Sequence, residues 1–120
     1  MLMQHREKHR VHHIKKLASI ARAIITNQIG LPLGMLRMGT TLTQIHSIRP
    51  ITEIDLEIIS EFNSKASGLP IGMERLSYNR DFLKKQDVIL DELCSKYKDP
   101  VIHKCFEIID KFYDSDKLKS

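Results

Sequence analysis

From Val11 to Ile25 the apolar residues recur at the spacing of one helix face: Val11, Ile14, Leu17, Ala18, Ala21, Ile24 and Ile25. A half-buried strand needs strict alternation instead, and no stretch of the chain alternates in that way. The chain is therefore expected to be all-α, each helix burying one stripe against its neighbours.

The later segments repeat the pattern. Gly30 is placed to end the first helix in a left-handed conformation. Pro32 suits the first turn of a second helix, where its missing N–H has no intrahelical use. Leu33, Leu36, Met38, Leu42 and Ile45 mark the buried side of that helix, and Gly39-Thr40-Thr41 weakens its middle. The short corner between the two predicts an antiparallel hairpin. Thr52 and Asp55 resemble a capping box before a third helix, with Ile54, Ile58, Ile59 and Phe62 inward. Asn63 to Leu69 reads as a loop, and Pro70 to Tyr78 as one short helical turn.

A fourth helix is expected from about Arg80 to Tyr97, with Phe82, Leu83, Ile89, Leu90, Leu93, Cys94 and Tyr97 inward. Asp99-Pro100 reads as a cap and first-turn proline that open a fifth. Its stripe is Ile102, Cys105, Phe106, Ile109, Phe112 and Tyr113. The expectation is a single-domain bundle of four to five helices over residues 1–120, with a polar tail at 114–120. Residues 1–10 form a basic arm without an apolar stripe, and either a frayed end or a helical extension fits it. A chain of 120 residues buries roughly two-thirds of its unfolded surface, so the core needs no staples. With no Trp, that core is built mostly from Ile, Leu, Val and Met.

The net charge of +4 is concentrated at one end. Residues 1–16 carry Arg6, Lys8, Arg10, Lys15 and Lys16 against Glu7, and the rest of the chain is neutral. This arm is the candidate anion-binding element, for nucleic acid or an anionic surface. It lacks aromatics for base stacking. His5, His9, His12 and His13 lie along one helical face and are weak metal candidates, because no carboxylate or cysteine completes the sphere. No metal site and no cofactor is expected. Cys94 and Cys105 read as reduced thiols within apolar helical patterns.

No phosphate loop, nucleophile elbow or HExxH is present, so the expectation is a protein that is not an enzyme. The most apolar window, Leu17 to Leu36, contains Arg22, Asn27, Gln28, Gly30 and Pro32, which argues against a spanning helix. Met1 leads into a charged segment rather than an apolar signal core, and a cytoplasmic location is expected.

Arg22, Gln28 and Arg37 flank the first helical corner, and Arg75 follows later. They are the candidates for a polar pocket or partner-binding site, in which guanidinium groups hold a carboxylate or phosphate. The alternative is structural: each arginine pairs with an acid such as Asp55, Glu61 or Glu74, and Gln28 satisfies backbone at the helix end.

Ala21-Arg22-Ala23, Gln28, Leu31, Gly34 and Arg37 resemble, without a gap, the pattern of a bacterial family called domain of unknown function 2489. Pro70 and Arg75 resemble its second signature, a proline followed five residues later by arginine. The likeness covers Ala21–Met38 and Pro70–Arg75. The family usually has Ser-Glu where this chain has Pro32-Leu33, and a histidine where it has Gly72. The resemblance implies an all-helical fold and no particular activity. The leading expectation for function is a non-enzymatic protein-interaction module, regulatory or toxin-neutralising in the manner of an immunity protein. The alternative is nucleic-acid binding through the basic arm. A homo-oligomer is compatible with either.

Overall fold

Four α-helices and one short 3-10 helix account for most of the chain, and no strand occurs among the described residues. The structure, a computed structural model, describes residues 2–112, apart from the side chains of residues 2–4, Met73 and Glu74. The expected polar tail at 114–120 and the inward Tyr113 lie outside those residues. The elements are α1 (Leu2–Ile25), α2 (Leu31–His46), α3 (Glu57–Ala66), the 3-10 helix (Gly72–Ser77) and α4 (Arg80–Phe112).

The basic arm is a helical extension, continuous with α1. Ile14, Leu17, Ile20, Ala21 and Ile24 are buried along that helix, which packs against both α2 and α4. At its end the left-handed residue is Asn27, with φ 61, and not Gly30, which has φ −65 and ψ 152 and serves as the N-cap of α2. The Gln28 N–H donates to the Ala23 carbonyl at 2.9 Å and the Asn27 N–H to Ile24 at 3.1 Å, the paired bonds of a Schellman motif. Asparagine tolerates that conformation, so glycine is not required there.

At Gly34, α2 approaches α1 closely. A Cβ at this position would lie 2.5 Å from Ile24 Cγ1, so a bare backbone permits the approach. At Gly39 a Cβ would lie 2.6 Å from Asn63 Nδ2, and that amide donates to the Met35 carbonyl at 2.8 Å. A glycine that weakens α2 locally thus admits a polar tie to α3. Helix α3 begins at Glu57 rather than at the Thr52 box, and the Asp55 carboxylate accepts the Glu57 N–H at 2.9 Å.

Helix α4 runs unbroken through Pro100, which corrects the expected division at Asp99-Pro100. Proline supplies no N–H to the Lys96 carbonyl, at a typical cost of ~3 kcal/mol in a helix interior. Tyr97, Val101, Cys105 and Ile108 are all buried on either side of it and hold both halves on one axis. Pro100 itself is exposed, where water can reach the orphan carbonyl. Phe62 of α3 meets Tyr97 edge to face, with ring centroids 5.7 Å apart.

At about 50 Å, a 33-residue helix exceeds the other elements. The molecule is accordingly elongated, 53 × 28 × 22 Å, with a radius of gyration of 15.9 Å against roughly 14 Å for a compact chain of this length.

Candidate functional site

The α1–α2 corner positions Arg22, Gln28 and Arg37 on the outside of the hairpin, and all three are exposed. Arg75 sits elsewhere, in the 3-10 helix. Its Nη1 and Nη2 donate to the two carboxylate oxygens of Asp87 at 2.6 and 2.9 Å, and Nη1 also reaches the Pro70 carbonyl at 3.4 Å. This bidentate pair holds the Asp87 carboxyl below its ordinary range. The acid is Asp87, which was not among those expected; of the three that were, the Glu74 side chain lies outside the described residues. No two of the four candidate residues line the same cavity among those of about 300 to 460 Å³.

One pairing does form across the two candidate sets. Lys16 of α1 and Arg37 of α2 line a surface cavity of about 460 Å³ with Leu33, Leu36, Thr40 and Thr41. The Thr40 and Thr41 hydroxyls donate to the Leu36 and Arg37 carbonyls of their own helix, at 3.2 and 2.9 Å. The cations remain exposed there.

The basic arm is partly structural. Arg10 is buried, and its Nε donates to the Arg49 carbonyl at 2.8 Å while Nη2 donates to Pro50 at 3.2 Å. Arg6 reaches the Ser47 carbonyl at 3.3 Å, and Glu7 pairs with Arg49 at 3.1 Å. These contacts fasten the start of α1 to the non-helical segment after α2, whose carbonyls accept from the arginine side chains in place of a backbone partner. Arg10 is therefore removed from the anion-binding set. Lys8, Lys15 and Lys16 stay on the exposed side of α1, in line with Arg22.

The histidines do not gather. His5 and His9 stack with centroids 6.4 Å apart, and His12 meets His13 edge-on at 5.7 Å. No cluster of three or more metal-ligating side chains occurs among the described residues. His13 Nδ1 is buried with no hydrogen-bond partner among the described residues, and burial, followed by His12, His9 and Lys16, pushes its pKa below the ordinary value. Both cysteines are free thiols; burial pushes Cys105 up to about 11 and raises Cys94, with a further contribution from Asp91. Neither is poised as a nucleophile.

What the sequence reading missed is an exposed apolar surface. Leu76 is 80% exposed, Val88 58%, Ile89 50%, Tyr78 43% and Phe82 37%. Phe82 and Ile89 were expected inward, as was Phe106, which is 56% exposed. Leu36 of α2 is likewise 44% exposed, and Met35 takes the core position beside it. Tyr78 and Phe82 stack with centroids 4.9 Å apart, and Asn79 Oδ1 caps α4 by accepting the Phe82 N–H at 2.8 Å. From Arg80 to Ile89 no residue is buried, because this part of α4 runs past the main core. One signal was available: Val88-Ile89-Leu90 are consecutive and span about 200° of a helix, so one core cannot cover all three. No helix among the described residues is long and apolar enough to cross a membrane.

Comparisons with protein families, with curated proteins and with solved structures found no match.

Proposed function

We propose that this protein is a non-enzymatic helical interaction module, regulatory or partner-neutralising in role, whose contact surface is the 3-10 helix and the first third of α4. The observation that carries the reading is the exposure of Leu76, Tyr78, Phe82, Val88 and Ile89 on a segment outside the core. Exposed apolar side chains grouped on one segment, here with Tyr78 stacked on Phe82, favour an interaction surface. Aromatic residues with few rotors, such as Tyr78 and Phe82, are common anchors in them. The resemblance to domain of unknown function 2489 belongs to the same proposal and adds a fold, not an activity.

The test compares the wild type with Leu76→Glu/Ile89→Glu in a pull-down from the native host, after nuclease treatment. A stoichiometric protein partner held by the wild type and lost by the variant supports the reading. Retention by the variant, or recovery of nucleic acid alone, overturns it. Both positions are exposed, so the variant is expected to fold, and its circular dichroism checks this.

A second reading, nucleic-acid binding, is supported by the row of Lys8, Lys15, Lys16 and Arg22 along the exposed side of α1. Removing residues 1–10 would also remove the Arg10 clamp, so Lys8→Glu/Lys16→Glu is the cleaner variant. If the row binds duplex DNA, the wild type shows a steep salt dependence and the variant loses binding.

A further inference from the structure

The outer side of α4 carries a pattern that is complementary to itself. Asp81, Lys85, the Val88-Ile89 pair, Glu92 and Lys96 follow one another at steps of three or four, so they share one face, and all are exposed. The order along the helix is acid, base, apolar, acid, base. Turned end for end, the same face reads base, acid, apolar, base, acid. None of the four charged residues makes an ion pair within 4.0 Å among the described residues. Lys96 Nζ lies over the Tyr97 ring, 5.9 Å from its centroid, and Asp81 with Lys85, like Glu92 with Lys96, has the spacing for an intrahelical pair; all four groups are exposed and within reach of a facing helix.

We propose that this face is the interface between two copies of the chain, paired antiparallel about a two-fold axis that passes between Val88 and Ile89. The inference rests on the interaction-module reading and names the occupant of its surface as a second copy. In this register Val88 of each copy meets Ile89 of the other, Lys85 meets Glu92, and Asp81 meets Lys96. Two-fold symmetry makes each pairing twice. Phe82, stacked under Tyr78, flanks the pair at both ends. A parallel arrangement would set like charges against each other at every step, which selects the antiparallel one. The face extends about 22 Å between Asp81 and Lys96. That is less than the roughly 1,600 Å² of a standard interface requires, so the dimer is weak and concentration-dependent.

Sedimentation equilibrium over a concentration series tests this, with the wild type, Lys85→Glu, Glu92→Lys and the double variant Lys85→Glu/Glu92→Lys. The expected result is a reversible rise from one 13.9 kDa chain toward the mass of two. Each single reversal raises Kd about tenfold, and the double variant regains the wild-type value because both pairings are restored with opposite sign. A wild type that stays monomeric, single variants that dimerise as well as wild type, or a double variant that stays as weak as the singles overturns the dimer. If the dimer fails while the pull-down still captures a protein through Leu76 and Ile89, only this inference falls. If neither association occurs, the interaction-module reading falls with it.

Discussion

Helix α1 and the first third of α4 are both amphipathic in sequence, yet one is sealed and the other is bare. Leu17 and Ala21 are fully buried because α2 and α4 close on α1 from two sides. Val88 and Ile89 carry as much apolar surface and remain at least half exposed, because no described element covers them. Apolar content thus fixes a tendency to be covered, and topology decides whether a cover exists. The same contrast holds for charge: Arg10 is consumed by the carbonyls of Arg49 and Pro50, whereas Asp81, Lys85, Glu92 and Lys96 face outward.

The largest effect that can break this comparison is a paired truncation. Leu17→Ala should cost ~2–5 kcal/mol, the range for emptying a closed core site. Val88→Ala, measured at a concentration where the chain is monomeric, should change stability by less than about 0.5 kcal/mol. Urea unfolding reads both, and similar losses would mean that the two regions are equally packed.

Next in size is the clamp on the first turns of α1. Arg10→Ala leaves two carbonyls without their charged donor and should cost about 2–3 kcal/mol. Arg49→Ala removes only the exposed pair with Glu7 and should cost at most ~1 kcal/mol. Faster amide exchange in α1 ahead of Ile14 in the first variant alone would sharpen the distinction.

The smallest effects are titrations, and they separate the two regions by pH. The folded state pushes His13 below its ordinary 6.5 by burying it. Its contribution is therefore fully present above that value and lost as pH falls below it through the lowered pKa of the folded state, so stability should rise from mildly acidic to neutral pH. In Asp87 the Arg75 guanidinium lowers the pKa from 3.8, so that contribution is present above 3.8 and lost only below it. Urea midpoints across pH should lose the near-neutral slope in His13→Gln and the acid slope in Asp87→Asn. If neither variant changes its own limb, the assignment of the two groups is wrong.

The candidate site was the least legible part of the sequence. Arg22, Gln28 and Arg37 are all exposed, and no two of them line one of the described cavities, because closeness in sequence to a helical corner does not by itself build a pocket. Arg75 was expected to find an acid, and it did. That the acid is Asp87 depends on how the 3-10 helix folds back on α4, which no local spacing encodes. Asn63 looked like a loop residue, and its tie to Met35 required knowing that Gly39 leaves room for it.

The helices themselves, their inward stripes in α1 and α3, and the antiparallel corner at Pro32 follow from sequence alone, because a period near 3.6 and a proline's fixed φ are local properties. Three matters were settled only by tertiary structure. Pro100 stays inside a helix because burial of Tyr97, Val101, Cys105 and Ile108 outweighs a lost hydrogen bond. Arg10 is a clamp because the non-helical segment that follows α2 brings the Arg49 and Pro50 carbonyls beside it. Ile89 is exposed because the core ends before it does. Local sequence sets which face of a helix is apolar; only the meeting of distant segments sets what that face touches.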